Sequence, residues 1–154
     1  MKLSSFIQSV LGVAICSVLL LSPAYAQSPA VLYDLRCENL VDPLSIDTDT
    51  PRLSWKTNYT DKGNHQFAYQ ILAATDPNLL TEESADLWNS GKTKSSKSVL
   101  VDYRGKLNSD DYLVYWCVRV WDRNGKPSAW SQPARFGIGI SPEEWAEEDY
   151  IGFP

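Results

Sequence analysis

Residues 112–122, YLVYWCVRVWD, alternate in the two-residue period that places successive side chains on opposite faces of a β-strand. No other segment constrains the fold as strongly, because this strand needs a covered apolar face. The residues that we expect to point into a core are Trp116, Val118 and Val120. The residues that we expect on the opposite face are Cys117, Arg119 and Trp121.

Six further short segments alternate in the same way and are separated by turn residues such as Asn124-Gly125. The predicted strands are 32–38, 53–57, 67–74, 87–90, 98–101, 112–122 and 134–140. Between two of them, Asp76 and Pro77 predict a short helical turn, because Asp caps a helix and Pro suits its first position. No helix is long enough to cover a sheet. The pattern therefore predicts an all-β fold, a seven-stranded fibronectin type III-like or immunoglobulin-like β-sandwich.

The N-terminal residues 1–26 have the features of a secretory signal peptide. Lys2 gives a positive start, 6–21 is an apolar run, and 24–26 supplies small residues for cleavage before Gln27. We therefore expect an exported protein, in the periplasm or the extracellular space, with no membrane attachment after cleavage.

Two other interpretations of this segment are weaker. An uncleaved membrane anchor would need an apolar span of roughly 20 residues, and this run is short and followed by a Pro. A lipoprotein signal at Cys16 would need a small residue before the cysteine, where Ile15 stands, and the apolar run continues beyond it.

The rest of the chain has room for one domain of ordinary size. Its predicted parts are a leader at 27–30, the β-sandwich at 31–140, and a linker or start of a next domain at 141–154. Ser141 and Glu144 form a capping box at the start of that linker, which predicts a short helix leading out of the sandwich.

The charge of the chain argues against a nucleic-acid partner. Its formal net charge is −5, and removal of the signal, whose charged residue is Lys2, leaves −6. Binding to phosphates requires clustered Lys and Arg, and the sequence contains no such stripe.

Two cysteines remain after signal cleavage, Cys37 and Cys117. An oxidising compartment would allow them to pair, and the sequence alone leaves that pairing open. The alternation favours unpaired thiols, because Cys117 points away from the face of Val118 and Val120.

Several phrases of the sequence resemble the N-terminal fibronectin type III-like domain of bacterial α-L-rhamnosidases, over about 35–152. The phrases are RCENLVDPLSIDTDTPRLSWK, FAYQILAATDPNLL, DLWNSGK, VDYRGKLNSDDYLVYWCVRVWDRNGKPSAWSQPARFGIG and EEWAEEDYIG. Two positions depart from the family pattern: Cys117 stands where a long polar or basic residue is usual, and Tyr150 where a Trp commonly opens the next domain.

The resemblance implies a non-catalytic accessory domain that braces the downstream domains of an enzyme cleaving terminal L-rhamnose. We expect the helical barrel that carries the family's catalytic carboxylates to be absent from this chain. The alternative function is an autonomous carbohydrate- or protein-binding module.

No catalytic, cofactor or metal site is predicted in this chain. Glycoside hydrolysis requires two carboxyl groups held across a sugar, but the acid clusters lie in a predicted turn and in the polar tail. Those acids are Asp110, Asp111, Glu143, Glu144, Glu147 and Glu148. His65 is the one histidine and lies in a predicted loop, so neither a histidine-based triad nor a His-rich metal site is indicated.

The tryptophans divide into core and surface candidates. Trp55 and Trp116 are predicted to be core. Trp88, Trp121 and Trp130 allow a sugar-stacking surface, although the favoured interpretation is that they cover sheet edges or pack under long Arg side chains. In particular, we expect the Arg119 guanidinium within roughly 6 Å of the Trp130 ring, because the Gly125 turn returns the SAWS segment alongside the strand.

Trp145 and Tyr150 form a second candidate surface, in the predicted linker. If the module braces a larger enzyme, these two rings should be exposed in this chain and covered by the next domain.

Overall fold

The computed structural model describes residues 30–107 and 113–139 of the 154-residue chain. Seven strands lie in these ranges: β1 (Ala30–Cys37), β2 (Arg52–Tyr59), β3 (Gln66–Ala74), β4 (Trp88–Asn89), β5 (Val101–Asp102), β6 (Leu113–Asp122) and β7 (Ala134–Gly137). They form an antiparallel three-stranded sheet, β1-β2-β5, and an antiparallel four-stranded sheet, β4-β3-β6-β7. The all-β, seven-stranded immunoglobulin-like sandwich predicted from the alternation is confirmed.

The core lies between the two sheets and contains the predicted inward face of β6. Trp116, Val118 and Val120 are each 0% exposed, and Trp55 from the opposite sheet is 2% exposed. The Trp55 indole N–H donates to Gln66 Oε1 at 3.0 Å, which satisfies the one polar atom of that ring. Both tryptophans predicted as core are therefore core residues.

The two short strands are shorter than predicted. The segment predicted at 98–101 enters the ladder only at Val101, because Leu100 has a φ of 51° and its N–H donates to the Ser54 hydroxyl instead of a carbonyl. The segment predicted at 87–90 is reduced to the pair Trp88–Asn89 against β3.

The connection between β3 and β4 contains the predicted helical turn, a 3₁₀ turn at Pro77–Leu79. The Asp76 carboxylate caps it by accepting the Asn78 N–H at 2.7 Å. No helix within the described ranges is long and apolar enough to cross a membrane.

The chain enters and leaves the sandwich at opposite ends. Ala30, where β1 begins, pairs with Tyr59 at the end of β2. Gly137, where β7 ends, pairs with Leu113 at the start of β6, nine residues from the Asp122 end of that strand. Asp122 lies at the Tyr59 end of the molecule, since it accepts a 3.2 Å hydrogen bond from Asn64 in the β2–β3 loop.

Candidate functional site on the outer face of the four-stranded sheet

β6 places Arg119 on the face of its sheet that points away from the core. After β6, Gly125 takes a φ of 78° and the chain turns back alongside the strand. Ser128 and Ser131 then bond to β6 through their backbone N–H groups, which donate to the Val120 and Val118 carbonyls at 2.8 Å. This returning segment carries Trp130 to the position beside Arg119.

The Arg119 guanidinium lies between two indole rings. Its Cζ is 4.6 Å from the Trp130 ring centroid and 4.7 Å from that of Trp121. The first distance is well inside the expected limit of roughly 6 Å, so the predicted Arg119–Trp130 contact is confirmed. The Lys92 ammonium also contacts Trp121, with Nζ 4.6 Å from the ring centroid.

Hydrogen bonds from its N–H groups also hold the same guanidinium in place. Its Nε and Nη2 donate to Gln70 Oε1 at 3.1 and 2.8 Å, and Nη2 lies 2.7 Å from Glu82 Oε1. Gln70 is only 3% exposed, and its amide donates onward to Asn89 Oδ1 at 2.8 Å. We call the cluster of Arg119, Trp121, Trp130, Gln70 and Glu82 the arginine stack.

The arginine stack leaves little ring surface for a sugar. Trp121 is 7% exposed and has two cations packed against it, whereas stacking of a sugar needs an open ring face. Trp130 is half-buried. The contacts therefore favour the packing interpretation of these two rings over the sugar-stacking one.

Trp88 does not join this surface. It lies on β4, an edge strand of the four-stranded sheet, in agreement with the interpretation that these rings cover sheet edges. It packs against the core and meets Tyr103 edge to face at 5.1 Å between ring centroids. A two-residue strand offers too little alternation to assign a face. Trp145 and Tyr150 lie outside the described residues.

Sequence reasoning missed three polar members of this region: Gln70, Glu82 and Asn89. Gln70 carried a signal, since it is a polar residue within the otherwise apolar end of β3. Glu82 and Asn89 carried none, because they lie 12 and 19 positions after Gln70 and reach it only through the path of the β3–β4 connection.

The described carboxyl groups with a resolved pKa shift are all held in the ionised form. The Lys56 ammonium and then Arg36 lower the pKa of Asp34, and Arg52 lowers the pKa of Glu38. Burial opposes ionisation of Asp86, but hydrogen bonds from Thr75 and the backbone outweigh it and lower its pKa. A glycosidase acid instead needs a raised pKa, so these three groups are unsuited to that role.

The two described cysteines are free and buried on different sides of the four-stranded sheet. Cys37 belongs to the core between the sheets, while Cys117 lies on the outer face, as its alternation with Val118 predicted. Burial raises the pKa of both thiols to about 12. Both thiols are therefore protonated at neutral pH and are poor nucleophiles or metal ligands. Within the described ranges, no group of three or more His, Cys, Asp or Glu side chains is arranged to hold a metal.

The chain is similar over most of its length to the first part of a family of sugar hydrolases. Residues 32–142 match the model of the Rha78A-like, N-terminal immunoglobulin domain. An α-L-rhamnosidase of Formosa agariphila is 40% identical over 111 residues, which cover 71% of this chain and 12% of that protein.

Two solved structures show the same fold at similar identity. The α-L-rhamnosidase of Streptomyces avermitilis complexed with L-rhamnose matches with a TM-score of 0.71 and 35% identity, over 76% of this chain and 11% of that one. The α-L-rhamnosidase of Dictyoglumus thermophilum matches with a TM-score of 0.71 and 31% identity, over 77% of this chain and 14% of that one. The chain thus spans about a tenth of the length of these relatives, and it belongs to the family of Rha78A-like N-terminal immunoglobulin domains.

Proposed function

We propose that this chain is the non-catalytic N-terminal accessory sandwich of an exported α-L-rhamnosidase, and that it braces the domains that come after it. The observation that carries this proposal is the extent of the two matches. The family model covers residues 32–142 of this chain, whereas the similarity to the Formosa enzyme covers only 12% of that protein. The parent enzyme would hydrolyse terminal α-L-rhamnose with residues from its other domains.

The chemistry of the described residues supports an accessory role. The carboxyl groups with shifted pKa values are ion-paired or hydrogen-bonded as anions, and the thiols are buried and protonated. Within the arginine stack, the guanidinium N–H groups donate to Gln70, and the two indole rings pack against the same guanidinium. An autonomous carbohydrate-binding module built on Trp121 and Trp130 would need those ring faces open.

A hybrid enzyme tests the bracing role. In the Streptomyces avermitilis α-L-rhamnosidase, the first domain is either deleted or replaced by residues 30–139 of this chain. We expect deletion to lower the thermal unfolding temperature of the enzyme and replacement to restore much of it. An enzyme that is equally stable without the domain would contradict the bracing role.

An activity assay tests the non-catalytic role. The isolated chain should release no L-rhamnose from an aryl α-L-rhamnoside, with the intact Streptomyces enzyme as the positive control. Release by the isolated chain that disappears when one acid is changed would overturn the proposal.

A further inference from the structure

Residues 38–46, in the connection between β1 and β2, present three large apolar side chains to solvent. We call this segment the exit loop, because the chain leaves the sandwich beside it. Leu40 is 54% exposed, Val41 is 61% exposed, and Leu44 is 72% exposed. Tyr33, on the adjoining strand β1, is 47% exposed and lines a surface groove of about 350 Å³ together with Val41. Single exposed apolar residues are ordinary, whereas such a group on one short loop is typical of an interaction surface.

The exit loop is held in place by hydrogen bonds. At its start, the backbone groups of Cys37 and Leu40 exchange two bonds of 3.0 and 2.9 Å. The Glu38 carboxylate pairs with Arg52 at 2.7 Å, and Asp42 Oδ1 accepts the Arg135 N–H at 2.9 Å. The apolar side chains therefore face solvent from a fixed backbone.

The backbone of this loop also adopts conformations that non-glycine residues rarely take. Glu38, Asn39 and Asp42 have φ angles of 49°, 65° and 45°. Such conformations persist only where surrounding contacts enforce them, and they cluster at binding sites and other functional sites. Here they hold the exposed side chains of the exit loop in one arrangement.

The chain leaves the sandwich alongside this loop. Gly137 N–H donates to the Pro43 carbonyl at 2.8 Å, and Ile46 N–H donates to the Gly137 carbonyl at 2.9 Å. Gly139, the last described residue, donates to the Ile46 carbonyl at 3.0 Å. The chain beyond Gly139 therefore starts next to Leu44 and its neighbours.

We propose that the exit loop is the docking surface for the domain that comes after this one in the same rhamnosidase chain. This inference rests on the proposed function, because the family places this domain N-terminally and about nine-tenths of each relative lies outside the match. The charged groups of the loop are already paired within the sandwich. The partner surface should therefore be apolar, covering Leu40, Val41 and Leu44.

Two matched substitutions test the surface in the hybrid of this domain with the Streptomyces enzyme. Val41→Asp places a charge on the exit loop, and Val99→Asp places the same charge on a valine of similar exposure, 58%, far along the chain in the β4–β5 connection. Val41→Asp should lower the unfolding temperature of the hybrid and leave that of the isolated chain unchanged. Val99→Asp should leave both unchanged.

Hydrogen exchange gives a second measurement that needs no substitution. Amides in 38–46 should exchange more slowly in the hybrid than in the isolated chain, while those in 98–100 should exchange equally in both. If Val41→Asp destabilises the isolated chain, Leu44→Asp replaces it, since Leu44 is the more exposed residue. If the hybrid does not fold, Asp is placed in the intact Streptomyces enzyme at the positions that superpose on Val41 and Val99, with the same expected difference.

Four results would overturn the docking surface. The first is equal stability of the Val41→Asp and Val99→Asp hybrids together with equal exchange of 38–46 in hybrid and isolated chain. The second is the same equality between the two Asp variants of the Streptomyces enzyme. The third is a dimer of the isolated chain that Val41→Asp dissociates, which would assign the loop to self-association. A hybrid that needs the domain but tolerates Val41→Asp and Leu44→Asp leaves the bracing function standing and removes this surface.

Discussion

At the scale of single residues, Arg119 uses both the plane and the faces of its guanidinium group. Its N–H groups donate to Gln70 and pair with Glu82, while its Cζ lies over the rings of Trp121 and Trp130. A lysine ammonium cannot reproduce this combination, because it is a point charge without a flat face. The position therefore requires arginine specifically, beyond a positive charge.

Arg119→Lys should lower the free energy of unfolding by about 1 kcal/mol, from loss of stacking and of the bond pair to Gln70. Urea denaturation followed by tryptophan fluorescence measures the change. The matched control is Arg123→Lys in the exposed turn after β6, which should change stability by less than about 0.5 kcal/mol. Equal losses in the two variants would show that the stack contributes no specific stability.

The buried thiols predict a loss of stability at alkaline pH. Burial raises the pKa of Cys37 and Cys117 from 9.0 to about 12, so between these values the unfolded chain releases protons that the folded chain keeps. Proton release from the unfolded state favours unfolding as pH rises. The contribution is therefore complete below pH 9 and is lost progressively toward pH 12. Tyr59, whose pKa burial raises from 10.0 to about 12, acts in the same direction.

Urea midpoints at pH 7, 8.5 and 10 test this dependence. The midpoint should fall between pH 8.5 and 10 in the native chain. In a variant with Cys37→Ala and Cys117→Ala it should fall less, because only the tyrosine contribution remains. Parallel curves for the two proteins would show that the thiols do not carry the effect.

At the scale of the elements, the segment between β6 and β7 pairs with β6 through two serine hydroxyls. Ser128 Oγ accepts the Val120 N–H at 3.0 Å, and Ser131 Oγ accepts the Val118 N–H at 3.1 Å. Each serine also returns a backbone N–H to the same β6 residue. The two serines of the SAWS segment therefore pair this segment with β6 as an additional strand would, with hydroxyl groups in place of backbone carbonyls as acceptors. The two-residue gap between the serines contains Trp130, which lies against Arg119.

Ser131→Ala should cost about 1–3 kcal/mol, because it leaves the buried Val118 N–H without its acceptor. The Val118 amide should also exchange faster with solvent, which NMR can follow directly. Ser84→Ala is the control, since Ser84 is exposed and its backbone N–H bond to Thr81 does not involve its own hydroxyl. Unchanged exchange at Val118 would show that another group accepts its hydrogen.

Strand alternation predicted all seven strands but overestimated the length of the two short ones, β4 and β5. Its period assigned the inward face of β6 and placed Cys117 and Arg119 outside. The predicted Arg119–Trp130 contact came from that face and from the Gly125 turn. Gln70 carried a local signal, but its contacts with Glu82 and Asn89 could not be predicted, because they depend on a loop path that no local period encodes.

At the scale of the whole molecule, the sandwich closes its core while leaving the exit loop uncovered. The side chains between the sheets are almost fully buried, whereas three large apolar residues next to the chain's exit remain in solvent. The core of the domain is thus fully packed, whereas the surface at the exit loop is apolar and uncovered. A domain of a larger exported enzyme would have both properties.

The proposed export of the chain predicts a defined N-terminus. When the chain is produced with its own residues 1–26 in a secreting bacterial host, the mature protein should begin at Gln27, because 24–26 supply the small residues before the cleavage point. N-terminal sequencing or intact mass of the exported protein measures this. An Ala26→Trp variant should accumulate uncleaved in the cell, and export of that variant with an unchanged N-terminus would contradict the assigned site.

The opposite placement of Ala30 and Gly137 has a mechanical meaning. The ends of β6 are nine steps of roughly 3.3 Å apart, so about 30 Å separates the two ends of the sandwich at which the chain joins and leaves it. A pull between those points runs along the strands, and ladder hydrogen bonds lie across them. Such a load must shear many bonds of the β1–β2 ladder together instead of opening them one after another. The sandwich should therefore resist extension between Ala30 and Gly137, the two ends at which the chain joins and leaves it.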